Sequence, residues 1–237
     1  MQSQGPICVD KLFMDATSKC NFDTSREYNL QDFLKLIKSI SPAHKHLSYK
    51  LSKNLELLAL CPTEEEYNML VEMYTFRFYF GHSVINSVIL DKIVTFVDTS
   101  RVLEIGAGNG YIAYAMKLSG VQIVATDIPN NIYPCLQILK KKPWVPILNM
   151  DNIMALNMYR DLECLMLIWP PIGLSMAYHS LKNFTGSKFI YIGEWRNGQS
   201  ASPNFFNELD KNWNLVQKID IPHFIATFDS VYLFTRK

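Results

Sequence analysis

Residues 102–110 read Val-Leu-Glu-Ile-Gly-Ala-Gly-Asn-Gly, and a little further on the run Val121-Gln-Ile-Val-Ala-Thr closes on Asp127. The pattern describes a buried strand, a glycine-rich turn, a helix, a second buried strand and an acid at that strand's end. Glycines in the turn let the backbone approach a ligand where a Cβ atom would stand in the way. An acid after the second strand accepts two hydrogen bonds from a ribose diol, the logic of nucleotide sites in doubly wound sheets. The stretch therefore predicts an adenosine-containing cofactor.

The glycine spacing narrows the choice. A dinucleotide fingerprint runs Gly-x-Gly-x-x-Gly, with a pyrophosphate at the helix N-terminus. Here it is Gly106-x-Gly108-x-Gly110, with Glu104 two residues ahead. A carboxylate there opposes a pyrophosphate, because like charges in a poorly hydrated site repel; it suits a ligand carrying an ammonium and a sulfonium. Glu104-x-Gly106-x-Gly108-x-Gly110 followed by Asp127 resembles motif I and the acid after it in class I S-adenosylmethionine-dependent methyltransferases.

The rest of the chain is consistent with an α/β protein. Its 237 residues suit one large domain or one domain with a substantial extension. Apolar residues make up 49% and aromatics 13%, enough to build a core. The formal charge of +1 gives no global electrostatic case for nucleic acid. Cys8, Cys20, Cys61, Cys135 and Cys164 are odd in number, widely spaced and without a Cys-x-x-Cys pair, so they read as reduced thiols. No apolar stretch approaches the roughly 20 residues that span a bilayer, and the polar start Met1-Gln-Ser-Gln-Gly-Pro lacks the form of a signal peptide. The expectation is a soluble, cytoplasmic protein without membrane partners.

Two regimes meet near residue 99. Before it the periodicity is helical. Thr24-x-x-Glu27 and Thr63-x-x-Glu66 both have the capping-box form. Leu30, Phe33, Leu34 and Ile37 follow the first on one face; Tyr67, Leu70, Val71, Tyr74 and Phe78 follow the second. Leu47, Leu51, Leu55 and Leu58 suggest another helix, and Ile85, Val88, Ile89, Ile93 and Phe96 a fourth. Residues 1–22 lack a period and read as a loosely held arm, 23–98 as a helical region and 99–237 as the cofactor-binding domain.

After residue 99, strand candidates at 101–106, 121–127, 144–149, 164–169, 188–193, 215–221 and 230–236 alternate with helix candidates at 110–119, 131–141, 153–159, 174–182 and 203–210. Continuous apolar runs such as Cys164-Leu-Met-Leu-Ile168 are what strands buried on both faces look like. Alternation implies a parallel sheet with right-handed crossovers. Only a loop separates the last two strands, too short for a parallel crossover, so the final strand is expected to be antiparallel. The resemblance implies the same: a Rossmann-like seven-stranded methyltransferase sheet, mostly parallel with an antiparallel last strand, plus a helical N-terminal region.

The resemblance also assigns positions. Gly106, Ala107, Gly108 and Gly110 would approach the methionine and ribose portions of S-adenosyl-L-methionine. Glu104 would orient the loop and favour the cationic end, Asp127 would bind the ribose hydroxyls and Ile128 would pack on the adenine. Asp151 and Asn152 stand where the family often keeps a polar residue for the adenine amino group; Asp151 reads equally well as a helix N-cap. The fourth strand ends in Trp169-Pro170-Pro171-Ile172. Methyltransferases of amino groups carry an acid, Asn or Ser, then Pro-Pro, then an aromatic. Here the prolines are kept, but the first residue is Trp, which offers one N–H donor and no acceptor. Amino-group methylation is therefore not carried over. The chain looks like a poorly characterised branch with a Trp-Pro-Pro version, and the resemblance does not name a methyl acceptor.

The candidates to meet the acceptor are Trp169, Pro170, Pro171 and Glu194, with Trp169 also able to face the sulfonium through its π system or to be a core residue. Glu194 could be a base or a loop acid. Arg77, His82 and Ser83 precede the cofactor domain, where N-terminal elements often close over the cofactor carboxylate. His44-Lys-His46 lacks companion metal ligands, and no metal is expected. Lys35, Lys38, Lys45, Lys50 and Lys53 make a local basic surface that an RNA could meet, or simply a solvated helix face. Beside the enzyme stand two rivals: a non-catalytic protein of this fold acting as a binding or regulatory subunit, and a nucleotide-dependent oxidoreductase, which the glycine spacing and Glu104 disfavour.

Overall fold

The computed structural model describes residues 15, 27–40, 63–128, 142–196, 198–224 and 227–237. The expected arm at 1–22 (apart from Asp15), Thr24 of the first capping box, the Leu47–Leu58 helix, the helix at 131–141 and His44-Lys-His46 lie outside the described residues.

Runs buried on both faces become the central strands. β1 (Val102–Ile105), β2 (Ile123–Asp127), β3 (Leu148–Asn149), β4 (Cys164–Ile168), β5 (Lys188–Glu194), β6 (Trp213–Asp220) and β7 (Asp229–Arg236) form one seven-stranded sheet in the order β3-β2-β1-β4-β5-β7-β6. β1 pairs in parallel with β2 and β4, and β4 with β5. β7 inserts antiparallel between β5 and β6. This is the seven-stranded, mostly parallel sheet with an antiparallel last strand that the sequence implied.

Along β1 and β4 the side chains alternate between two cores, as a period of two requires. Val102, Cys164 and Met166 join one; Leu103, Ile105, Leu165 and Leu167 join the other. The first core is covered by α1 (Leu30–Ile40), α2 (Glu64–Phe80), α3 (Ser87–Val97) and α4 (Tyr111–Leu118). The second lies under α5 (Asn152–Met158), α6 (Met176–Asn183) and α7 (Pro203–Asn212).

Two local results bear on the site. The Thr63 capping box forms: its hydroxyl accepts from the Glu66 amide at 3.2 Å while Glu66 accepts from the Thr63 amide at 2.8 Å. α2 therefore starts at a defined point and ends at Gly81, beside the glycine-rich turn. β3 is only two residues long where 144–149 was expected. Trp144 instead sends its amide to the Asn109 carbonyl at 2.9 Å and its indole N–H to the Tyr79 carbonyl at 2.6 Å. Pro146 then removes a ladder donor, so the segment turns into the core and pairs with β2 only at its end.

Candidate functional site

The carboxyl ends of β1, β2 and β4 open into a cleft of about 570 Å³, within the range of small-ligand sites. Its lining includes Glu104, Gly106, Ala107, Gly108, Asp127, Ile128, Asp151, Asn152, Trp169, Pro170 and Pro171, and adds Phe80, His82, Asn109, Tyr111, Met150, Leu174 and Met176. Parallel strands bring these residues together because their carboxyl ends, and the loops that follow, converge at one edge of the sheet.

Gly106, Gly108 and Gly110 all have positive φ, at 75°, 56° and 73°. The left-handed turn lets Gly108 donate its amide to Asp127 Oδ2 at 2.8 Å, while Ile128 donates to Oδ1 at 2.7 Å. Asp127 is thus fixed at the cleft rim, each oxygen keeping a lone pair. Burial raises its pKa, against the pull of the two amides. Gly110 does not line the cleft. It sits against Val145 and Ile147, where a Cβ would come within 2.6 Å and 2.9 Å of side-chain carbons, so its part is to pass the chain into α4.

Glu104 is 1% exposed, and its Oε2 has no hydrogen-bond partner. Burial, and then the charge of Asp127, push its pKa up to about 8. Asn109 is likewise buried in the lining with its Nδ2 unpartnered. The sequence reading passed over Asn109; the available signal was a lone amide side chain between two turn glycines. Asp151 caps α5, accepting from the Met154 amide at 2.8 Å, and still lines the cleft. Asn152 reaches the Met176 carbonyl at 3.4 Å.

Trp169 has φ 46° and is half-buried. Its indole Nε1 donates to Ser83 Oγ at 2.8 Å and to Asp229 Oδ2 at 3.1 Å, and its ring lies 5.6 Å from that of His82. Burial and Arg77 lower the His82 pKa to about 4, so the imidazole is neutral at physiological pH. The Pro170 carbonyl accepts from the Ala201 amide at 2.8 Å, and Pro171 bridges to Ser200.

Of its two expected roles, base or loop acid, Glu194 takes the second. It does not line the cleft; it is buried with Oε1 accepting from the Phe228 amide at 2.9 Å and Oε2 from the Gln199 amide at 2.6 Å. Two loops have claimed both oxygens, which makes Glu194 a brace between them. Arg77 also lies outside the lining, its guanidinium over the Phe224 ring at 5.6 Å. Cys164 is buried within β4, its thiol pushed up to about 12 by burial. Among the described residues no group of three metal-ligating side chains occurs, and no helix is long and apolar enough to cross a membrane.

No family model and no curated protein matches the chain. It is similar in structure to TrmN from Thermus thermophilus, with a TM-score of 0.46 at 12% identity over 70% of this chain and 53% of that one. This chain thus spans about half the length of that protein. It is also similar to magnesium protoporphyrin IX methyltransferase (ChlM) from Synechocystis PCC 6803, solved with bound SAM, with a TM-score of 0.48 at 8% identity over 86% and 97%. TrmK from M. capricolum, solved with S-adenosyl-homocysteine, gives 0.43 at 11% identity over 62% and 67%.

Proposed function

We propose that the protein is an S-adenosylmethionine-dependent methyltransferase, with the cofactor held between the β1–α4 turn and Trp169-Pro170-Pro171. The observation that carries the reading is Glu104, a buried carboxylate in the cleft lining with one oxygen unpartnered. Such a group is costly to ionise unless a cation faces it. A ligand with an ammonium and a sulfonium relieves it; a pyrophosphate adds repulsion.

The other residues fit the rest of the ligand. Asp127 has two free lone pairs that would take the ribose diol, Ile128 and Met150 would hold the adenine, and Asp151 and Asn152 would meet its amino group. Asn109 supplies an amide donor for the methionine carboxylate. When bound, the cofactor supplies an electrophilic methyl group. The protein's part is to hold an acceptor within about 3–3.5 Å on one line and to keep water out. Phe80, Trp169, Pro170 and Leu174 wall that space.

The test begins with calorimetry of S-adenosylhomocysteine, whose affinity Asp127→Ala and Gly106→Arg should lower at least tenfold. Radiolabelled methyl transfer into the protein, RNA and small-molecule fractions of a cell extract follows. Absence of binding sinks the proposal. Binding without transfer to any fraction favours the second reading, a cofactor-binding subunit. That reading draws on Glu194 and the Pro170 carbonyl, both already engaged within the protein.

A further inference from the structure

Trp169 is held by more than packing requires. Its φ of 46° lies where L side chains rarely sit, and Pro170 biases the residue before it toward extended backbone. A conformation of this kind persists only where the surroundings over-determine it. Three contacts do so: the Trp169 amide donates to the Ile192 carbonyl at 2.7 Å, and the indole N–H reaches Ser83 Oγ at 2.8 Å and Asp229 Oδ2 at 3.1 Å. Ser83 in turn donates to Asp229 Oδ2 at 2.6 Å. Ser83 belongs to the α2–α3 loop and Asp229 opens β7, so two remote parts of the chain converge on one indole edge. Asp229 is wholly buried, and a buried carboxylate needs such donors.

We propose that Asp229 and Ser83 are positioning residues that turn the Trp169 N–H edge into the protein and its ring toward the cleft, so that the methyl acceptor taken there is a flat, uncharged ring system held by stacking. The acceptor half rests on the methyltransferase reading; the positioning half does not. The indole donor is spent, so it cannot hold a polar acceptor group. The lining that includes the indole also holds the His82 imidazole, two prolines and Leu174; its carboxylates are those the cofactor would take, and among the described lining residues there is no Lys or Arg to grip a phosphate. Flat apolar surfaces without charge recognise flat uncharged rings; aromatic stacking is tolerant of the ring's identity.

The experiment uses the full chain saturated with S-adenosylhomocysteine, so that the adenine subsite is filled. Caffeine serves as the flat uncharged probe, cyclohexanol as the uncharged probe that is not flat, and inorganic phosphate as the anion. Caffeine should bind at least fivefold tighter than cyclohexanol, and phosphate not at all. Trp169→Leu should weaken caffeine at least fivefold, and Trp169→Phe, which keeps a flat face but loses the N–H tether, should weaken it by a smaller factor, about as much as cutting the tether does. The Trp169 indole proton, assigned in the nitrogen-edited NMR spectrum by its loss in Trp169→Phe, should exchange slowly with solvent. It should exchange at least tenfold faster in Asp229→Ala or Ser83→Ala, with caffeine weakened in parallel and by a larger factor than S-adenosylhomocysteine. Should Asp229→Ala fail to fold, Ser83→Ala carries the same comparison, and Asp229→Asn, which keeps an acceptor oxygen, should restore slow exchange. Caffeine no tighter than cyclohexanol overturns the acceptor class. An indole proton indifferent to both variants overturns the positioning role. Failure of S-adenosylhomocysteine to bind would instead remove the methyltransferase reading while the indole measurement still decides the tether.

Discussion

At the scale of single residues, the strongest consequence concerns the proton on Glu104. Its pKa rises from 4.5 to about 8 because burial and Asp127 disfavour the charge. Between those values the folded state holds a proton that the unfolded chain has lost, so this group's contribution to stability declines as pH climbs from 4.5 toward 8. A ligand ammonium, which S-adenosylhomocysteine keeps although it lacks the sulfonium charge, reverses the preference, and binding near neutrality should expel that proton. Calorimetry of S-adenosylhomocysteine at pH 7 in buffers of different ionisation enthalpy should register release approaching one proton, and affinity should strengthen up to about pH 8. Glu104→Gln should abolish the release and weaken binding about 10- to 100-fold, the loss of a charge-assisted contact. Unchanged proton release in that variant would reassign the group. Glu104 and Asp127 were legible in the sequence because both are acids at the ends of apolar strands, flanking glycines at a fixed distance. Glu194 has the same local signature and a different fate. What separates it is its place outside the cleft, between two loops that reach it through the Gln199 and Phe228 amides and whose approach no local pattern encodes. Asp229 is hidden for the same reason, since its partners are residues far away in the chain.

At the scale of elements, the turn into α4 and the start of α2 carry opposite kinds of information. Gly110 is the N-cap of α4 in the left-handed region, with no side-chain cap. A methyl group there meets both a conformational penalty of about 1–2 kcal/mol and the branched carbons of Val145 and Ile147. Gly110→Ala should therefore lower stability in urea by about 1–4 kcal/mol, strain adding to overpacking. It should also weaken S-adenosylhomocysteine, because Asp127 is fixed through the same turn. A stability change under 0.5 kcal/mol would show that the turn relaxes freely. Thr63→Ala, by contrast, removes a cap at the far end of α2 from the cleft and should cost about 1 kcal/mol with ligand affinity intact. Capping boxes, glycine turns and doubly buried strands are readable because neighbours along the chain supply their physics. β3 is shorter than its apolar run implies for the complementary reason: Trp144 answers to Asn109 and Tyr79 rather than to an adjacent strand.

At the scale of the whole molecule, the pattern change near residue 99 divides the sequence but does not divide the packing. Phe33 and Ile37 of α1, Phe76 and Phe80 of α2, and Ile89, Leu90 and Ile93 of α3 share one core with α4 and with Val102, Met166, Ile190, Val231 and Leu233 of the sheet. Trp144 sits at the junction, its ring 4.9 Å from Phe33, 5.2 Å from Phe80 and 5.8 Å from Tyr114. Phe80, Gly81 and His82 then form a wall of the cleft, so the helical region completes both the core and the site. A fragment of residues 99–237 would open one face of the sheet to water, covered among the described residues only by α4. Removing several fully buried aromatic side chains at about 3–5 kcal/mol each exceeds the 5–15 kcal/mol by which domains are usually stable. The fragment should therefore show no cooperative urea transition and no affinity for S-adenosylhomocysteine, while the full chain unfolds with coincident fluorescence and circular-dichroism transitions. A fragment that melts cooperatively and still binds would mean that the sheet with α4 through α7 is sufficient, and that the helices over its other face are an addition to the site rather than part of it.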